Sequence, residues 1–302
     1  MPFFIKLMTE EIDKELYGSD CHIHIFMDGL NFKKAHDRHF DRVDENIIRE
    51  HLRCYKDCGI DWLRDGGDHL GVSKAAMTIA PEYGITYRSP IFAIHKKGRY
   101  GGIVGLAFDT VEEYADLVKK VRREGGHFIK IMTTGILDFQ KAGVISSQNL
   151  EPALVKEMVH IAHEEGFSVM SHTNGAEAVK IALEAGVDSL EHGNFQDHES
   201  LHMLAESQAV WVPTLVTVRN LLEKGRFPDK EIKKVMDMQA ETLQYAFSLG
   251  ASLAVGTDAA AWMVPHGRAV SQEIAAFHEI LGNCPDVNKR LKEGNRKLKE
   301  KF

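Results

Sequence analysis

Residues 150–192 read LEPALVKEMVHIAHEEGFSVMSHTNGAEAVKIALEAGVDSLEH, and this stretch decides the fold. Two helix-length segments, 150–165 and 176–185, end at Gly166 and Gly186. Each glycine is followed within a few residues by a short apolar run, which is the pattern of a helix, a turn and then a strand. Strands that alternate with helices pair in parallel, because parallel neighbours need a crossover connection. The stretch therefore predicts a parallel α/β fold.

The same alternation extends to both sides of this stretch. Short apolar runs predict strands at 20–26, 60–65, 85–94, 128–132, 168–171, 189–192, 210–213 and 252–256. Eight such units without a linker rich in Pro, Gly or Ser predict one (β/α)8 TIM barrel over residues 1–302. A doubly wound open sheet is the alternative that strand counting leaves open. In a barrel, catalytic groups stand at the C-terminal ends of the strands.

Composition narrows the class of protein. A formal net charge of −7 argues against a nucleic-acid binder, so a small-molecule substrate is expected. No run of about 18 apolar residues and no signal-peptide pattern occurs, which predicts no membrane association and a cytoplasmic location. The four cysteines show no disulfide framework and fit a reducing compartment. The oligomeric state stays open, with a homo-oligomer as one option.

Histidines and a carboxylate stand at the ends of several predicted strands. His22 and His24 lie two apart in the string DCHIHI, so their side chains point to the same face of the first strand. His172 and His192 end the fifth and sixth strands, and Asp258 follows the eighth. Imidazole and carboxylate are ligands of zinc and similar divalent ions. The pair of histidines alone fits packed side chains equally well, but the whole set predicts a metal site.

Lys130 is the most informative of these residues because it lies inside the apolar fourth strand, in the string FIKIM. A buried ammonium group is unfavourable and tends to lose its proton. A neutral amine can react with carbon dioxide to form a carbamate, whose two oxygens can bridge a pair of metals. The alternative is a lysine whose charged end reaches the surface. Glu191, beside His192, is expected on the opposite face of its strand, with a structural role.

Six residues, in this order along the chain, resemble the metal-ligand set of the amidohydrolase superfamily: His22, His24, Lys130, His172, His192 and Asp258. The strings FIKIM, HTNG, DSLEHG and GTDA resemble its prolidase, carboxypeptidase and imidazolonepropionase-like branch, and the resemblance spans about residues 18–280. It implies two divalent metal ions, with zinc as the expected metal. The first pair of histidines and Asp258 would hold the more buried metal, the second pair would hold the more exposed one, and carboxylated Lys130 would bridge both.

The two ends of the chain depart from many members of that superfamily. Only 21 residues precede His22 and 44 follow Asp258, so the accessory β-sandwich made from both chain ends in many relatives is expected to be absent. Residues 9–17 predict a short capped helix that plugs the barrel floor. Residues 285–302 predict a polar C-terminal helix.

The resemblance implies a binuclear amidohydrolase that cleaves a C–N amide or peptide-like bond, as a dipeptidase does, by attack of a metal-bridged hydroxide. Asp258 would take the proton from the attacking water and deliver it to the leaving amine. The same superfamily includes mononuclear deaminases, lactonases and phosphotriesterases, which remain alternatives. A catalytically silent binding protein is the alternative from a different class.

Loops after the strands carry the candidate substrate contacts. These candidates are His95, Arg99, Asn174 and His266. The loops after the first and third strands are also rich in lysine, arginine and histidine. On an acidic protein this predicts an anionic group on the substrate, such as a carboxylate.

Overall fold

The computed structural model describes residues 13–302, which form a parallel α/β fold. The strands are β1 Ser19–Ile23, β2 Trp62–Asp65, β3 Thr86–Arg88, β4 Ala93–Lys96, β5 Gly105–Phe108, β6 Ile129–Met132, β7 Val169–Thr173, β8 Ser189–His192 and β9 Val210–Val212. The helices are α1 Lys14–Tyr17, α2 Phe32–Phe40, α3 Glu45–Asp57, α4 Val72–Ile79, α5 Val111–Arg123, α6 Pro152–Glu164, α7 Ala176–Ala185, α8 His198–Glu206, α9 Val216–Arg219, α10 Asp229–Leu249, α11 Arg268–Leu281 and α12 Pro285–Lys301. The predicted α/β barrel fold is confirmed.

The strands of the barrel belong to two parallel sheets. One sheet has the order β1-β2-β3, and the other has the order β5-β4-β6-β7-β8-β9. The predicted strand 85–94 is two strands, because Pro90 has no backbone N–H and interrupts the ladder between β3 and β4. At this junction the backbone N–H of His127 donates to Ser89 O at 2.9 Å, which ties the end of β3 to the approach to β6.

Segment 252–259 takes the place of the eighth strand. The structure has no regular strand at 252–256, where the sequence predicts one. The backbone N–H of Trp211 in β9 donates to Ser252 O at 2.9 Å, and a backbone N–H of β1 donates to Val255 O at the same distance. The segment therefore joins its neighbours by separate bonds and isolated bridges instead of a continuous ladder.

The helix boundaries follow local sequence signals. Thr110 caps α5, its hydroxyl oxygen accepting from the backbone N–H of Glu113 at 3.3 Å. Helices α7 and α10 end at Gly186 and Gly250, which have φ of 86° and 90°. Glycine suits these positions because the left-handed conformation strains residues that carry a Cβ atom.

The floor of the barrel is packed by the C-terminal helix α12. Leu298 and Phe302 are buried there with a cluster of side chains from the strands: Cys21, Trp62, Phe128, Met170, Val210, Val212 and Ala254. Helix α12 matches the predicted C-terminal helix. Of the predicted N-terminal helix 9–17, residues 9–12 lie outside the described residues, and α1 packs against α12. The Nδ2 amide group of Asn295 donates to Leu16 O at 3.4 Å, which joins these two helices.

Every strand named above belongs to one of the two parallel sheets, and no β-sandwich lies within residues 13–302. The absence of the accessory β-sandwich from the protein stays a prediction. The helices of this described part are all too short or too polar to cross a bilayer. The cytoplasmic location stays a prediction.

We expect Gly294→Ala to destabilise the protein, although alanine normally stabilises a helix interior by about 0.5–1 kcal/mol relative to glycine. A Cβ atom at Gly294 would overlap Leu253 O in segment 252–259, so α12 would have to move off the barrel. The expected loss in the free energy of unfolding is about 1–3 kcal/mol, measured by urea denaturation. Glu293→Ala, one position away on a partly exposed side chain, is the control, with an effect within about 0.5 kcal/mol. A stabilised Gly294→Ala protein would contradict this close packing.

Candidate metal centre

The structure brings all six predicted metal ligands to one cavity at the C-terminal ends of the strands. The cavity has a volume of about 260 Å³. Its polar lining residues are His22, His24, Lys130, His172, Asn174, His192, Asn194, Thr217 and Asp258. The six residues lie on β1, directly after it, on β6, β7 and β8, and at the end of segment 252–259. They meet because the carboxyl ends of parallel strands lie at one rim.

His22, His24 and Asp258 form the tightest group of possible ligands. Asp258 Oδ1 lies 3.4 Å from the Nε2 atoms of both imidazoles. One ligand atom from each residue lies within 4.8 Å of the others. Among the described residues this is the one group of three histidine, cysteine or acidic side chains that could share an ion by this criterion.

The imidazole rings of His172 and His192 lie next to each other and next to the ring of His22. Their ring centroids are 4.6 Å apart, and the ring of His192 lies 5.0 Å from that of His22. The second pair of histidines therefore lies beside the first group. His192 has a positive φ of 65°, so the strand geometry ends at this residue and its side chain turns toward the rim.

Hydrogen bonds at one ring nitrogen leave the other nitrogen available on three of the imidazoles. Nδ1 of His22 donates to Glu191 Oε2 at 2.7 Å, and Nε2 of His172 donates to the Gly135 carbonyl at 3.2 Å. Nδ1 of His192 bonds to Thr214 Oγ1 at 2.8 Å. Such contacts select the tautomer of a metal-binding histidine and hold its ring in place.

Burial keeps these imidazoles neutral near pH 7. It lowers the pKa of His24 and of His172 to about 3, and it lowers the pKa of His22 and of His192 well below the usual range. Loss of hydration is the largest cause in each case, with the positive charge of Lys130 adding to it. A neutral imidazole is the form that binds a metal.

Lys130 is a buried amine without a partner. The side chain is 1% exposed, and Nζ has no hydrogen-bond partner among residues 13–302. Burial lowers the pKa of this amine to about 8, although the carboxylates of Glu191 and Asp258 act in the opposite direction. An unpaired buried polar group is rare and points to a missing partner such as an ion. Together with the neutral imidazoles, this side chain fits a centre of divalent cations.

Asp258 lies at the mouth, with 17% of its side chain exposed. Its φ is 57°, an uncommon conformation for a residue other than glycine, and it ends the extended run of segment 252–259. Desolvation raises the pKa of its carboxyl group to about 7, although the charge of Lys130 lowers it. Burial therefore increases the affinity of this carboxyl group for a proton.

The expected orientation of Glu191 is wrong. Its side chain is fully buried and contacts both His22 and Arg64, so it points into the barrel below the cavity. The prediction assumed that side chains alternate between the two faces of the strand. His192 has left the strand conformation, so the side chains of Glu191 and His192 can both point into the barrel.

One of the four predicted substrate contacts lines the cavity. This is Asn174, whose Nδ2 amide group donates to Gly135 O at 3.2 Å. His95, Arg99 and His266 are not among the lining residues. Both ring nitrogens of His266 already bond to protein groups, Tyr55 OH and Met27 O, each at 2.9 Å.

The basic loop side chains also lie outside the cavity lining. Lys96 pairs with Asp109 at 2.8 Å, and Arg38 lies 3.7 Å from Asp28. Their charges are therefore partly balanced by neighbouring carboxylates, and a carboxylate on the substrate stays a prediction.

The sequence analysis missed the apolar wall of the cavity. Its residues come mainly from the loops: Met27, Phe32, Tyr100, Ile103, Val104, Met132, Ile136, Leu137, Phe139, Val218, Leu221, Ala261 and Trp262. Phe32 and Ile136 remain 55% and 40% exposed, so the apolar surface extends to the mouth. Loop residues lack the regular spacing that marks a helix or strand, so periodicity gave no signal for them.

The fold and the site together define a parallel α/β barrel protein whose rim carries a histidine and carboxylate cluster suited to divalent cations. Residues 66–299 match the model of a family described as "Amidohydrolase family". This match covers more than half of the chain, so the chain belongs to the amidohydrolase family, as the resemblance predicts. Divalent metals are in general use in this family.

Curated relatives match part of the chain. A region of 163 residues is 28% identical to the ochratoxinase of Aspergillus niger and covers 50% of this chain and 32% of that protein. A region of 153 residues is 28% identical to an uncharacterized protein of Mycobacterium tuberculosis and covers 46% of this chain and 40% of that protein. The matched regions thus span less than half the length of these relatives.

Solved structures share the fold over most of the chain. A Xaa-Pro dipeptidase with bound methionine gives a TM-score of 0.74 at 22% identity and covers 93% of this chain and 74% of that chain. The ochratoxinase of A. niger gives a TM-score of 0.71 at 19% identity and covers 93% and 70%.

We expect Gly66→Ala to weaken metal binding without unfolding the protein. A Cβ atom at Gly66 would overlap the imidazole ring of His24, so the ring would have to leave its place beside Asp258. Zinc affinity, measured by competition with a chromophoric chelator, should fall by about 10-fold or more, because disturbing the groups that orient a metal ligand typically costs about 10–100-fold. Gly102→Ala is the matched control, because its Cβ atom would make only ordinary contact with His95. Equal zinc affinity in both variants would show that His24 is not a ligand.

Proposed function

We propose that this chain is a binuclear metal-dependent hydrolase that cleaves the C–N amide or peptide-like bond of a small substrate. The observation that carries the proposal is the buried Lys130 amine, which has no partner and lines the same cavity as four neutral imidazoles and a carboxylate. The amidohydrolase family match supports the reaction class.

The ligands divide into two groups. His22, His24 and Asp258 would hold one divalent cation, for which we propose zinc. His172 and His192 would hold the second, with carboxylated Lys130 between them. The neutral form of the amine, which the lowered pKa makes more abundant, would add carbon dioxide and release a proton. The resulting carbamate would carry a negative charge into a cluster of neutral imidazoles.

When bound, two such cations would lower the pKa of a water molecule at the site and polarise the substrate carbonyl. Asp258 would accept the proton of that water on its carboxylate and return it to the nitrogen of the leaving amine. Burial raises the pKa of this carboxyl group, which favours its acceptance of a proton. Its place at the mouth lets it reach a substrate nitrogen.

The cavity wall supports a substrate with an apolar group next to the scissile bond. Its lining includes aromatic side chains, among them Phe139 and Trp262, and a single cationic side chain, Lys130, which belongs to the metal set. A substrate carboxylate would therefore have to lie at the rim, outside this lining.

We expect the purified protein to contain about two divalent metal ions per chain. Removal of the metal with a chelator should abolish amide hydrolysis, and zinc with bicarbonate should restore it. Metal content is measured by elemental analysis. Lys130→Ala is the matched variant, and it should retain less metal and gain nothing from bicarbonate.

Other outcomes of the same experiment point to other functions. One metal per chain with release of ammonia from a heterocycle would favour a mononuclear deaminase. Faster turnover of lactones or phosphotriesters than of amides would favour those hydrolases. A protein that binds no metal would contradict the proposal and favour a binding role. A separate assay compares the turnover of aryl amides with and without a free carboxylate, which tests whether the rim of the cavity recognises an anion.

We expect Asp258→Asn to lower kcat by about 10²–10⁴-fold, the range typical of losing a general acid–base group, with a smaller change in KM. Metal content is measured in parallel, because Asp258 is also a proposed ligand. Asp188→Asn is the matched control: its side chain is equally exposed, at 17%, but lies before β8 at the opposite end of the barrel. Its kcat should stay within about twofold of the wild type. Full activity in Asp258→Asn with metal bound would rule out the proton-transfer role.

A further inference from the structure

A charged pair is buried in the barrel interior, directly behind the ligand His22. Arg64 in β2 and Glu191 in β8 are both fully buried, and the guanidinium Nη2 donates to Glu191 Oε1 at 2.9 Å. Ser189 Oγ donates to the same oxygen at 2.6 Å and accepts from Arg64 Nη1 at 2.8 Å. The pair is therefore closed into a small hydrogen-bonded network.

The second oxygen of Glu191 contacts the proposed metal site. Oε2 accepts from Nδ1 of His22 at 2.7 Å, so one carboxylate joins the buried guanidinium to the imidazole. Arg64 Nε donates to Cys21 O at 2.7 Å, on the backbone next to His22. The network thus contacts both the imidazole of His22, through Glu191, and the backbone of its strand, through Arg64.

Stability alone does not account for this arrangement. Moving two charges out of water is expensive, and replacing a buried ion pair by apolar residues of similar volume is often neutral or stabilising. A carboxylate that accepts from the free N–H of a metal-binding imidazole, by contrast, fixes its tautomer and increases its basicity. The geometry at His22 matches that use, because Nδ1 is engaged and Nε2 faces Asp258.

We propose that Glu191 is a positioning residue that commits His22 to bind metal through Nε2, and that Arg64 holds the Glu191 carboxylate in place and balances its charge. This inference rests on the proposed metal-dependent function. The outer face of the guanidinium is covered by Phe302, whose ring centroid lies 4.5 Å from Arg64 Cζ. The C-terminal helix therefore closes the network from below.

The test is the zinc affinity of Glu191→Gln, measured by competition with a chromophoric chelator. We expect the tighter of the two zinc ions to bind about 10–100-fold more weakly, the loss typical when the partner of a metal ligand is changed. Glu273→Gln is the matched control, since Glu273 is also fully buried but accepts from the backbone of Leu215 and Val216 instead of from a ligand. Its zinc affinity should stay within about twofold of the wild type.

A double variant separates positioning from a purely structural role. R64M/E191M removes both charges together and leaves no unpaired charge in the core. If Glu191 positions His22, this variant unfolds at a temperature close to that of the wild type but still binds zinc 10–100-fold more weakly. Wild-type affinity in the double variant would overturn the inference, as would wild-type affinity in Glu191→Gln. If the wild-type protein itself binds no zinc, the proposed function fails as well, so the two failures are distinguishable.

Discussion

Burial of the Lys130 amine is the constraint on which the rest of the site depends. Its neighbours Ile129 and Ile131 are fully buried, so β6 cannot move this residue to the surface without exposing the core. The amine must therefore be neutral, modified or paired within the cavity, because an isolated buried charge is too expensive. The carboxylates of Glu191 and Asp258 act on its charge, but neither forms a hydrogen bond with Nζ. This combination makes sense as a ligand set for cations and has no evident role in folding.

A layer of polar contacts below the rim ties the strands that carry ligands to each other. Asp20 in β1 accepts from the backbone N–H and the hydroxyl of Thr257, at 2.9 and 2.6 Å, which fixes the chain immediately before Asp258. Glu191 in β8 reaches across to His22 in β1. Side chains from strands far apart in sequence thereby hold the rim residues in register. A core of apolar side chains alone would not specify the ring orientations that a metal site needs.

The regular elements were predictable from sequence, and the irregular ones were not. His22, Lys130 and His172 lie on strands whose apolar pattern predicts both their place and their direction. Glu191 was predicted on the wrong face because the positive φ of His192 interrupts the alternation of side chains along β8. No pattern in the sequence predicts that conformation. Segment 252–259 occupies the position of a strand but joins its neighbours only by isolated bridges, which its apolar pattern does not reveal. His266 was expected at the substrate because it follows this segment, but loop length does not reveal that its nitrogens are already engaged.

The division between strand ends and loops explains why the reaction class is easier to infer than the substrate. The strand ends carry the polar groups, whose positions the barrel determines. The loops carry the apolar wall, and its residues depend on how each loop folds over the mouth. Phe32 and Ile136 stay largely exposed there, although exposed apolar surface generally favours association. In the proposed function these side chains would contact an apolar part of the substrate and be covered by it. The strand ends thus carry the polar groups of the proposed reaction, and in this proposal the loops would determine which substrate enters the cavity.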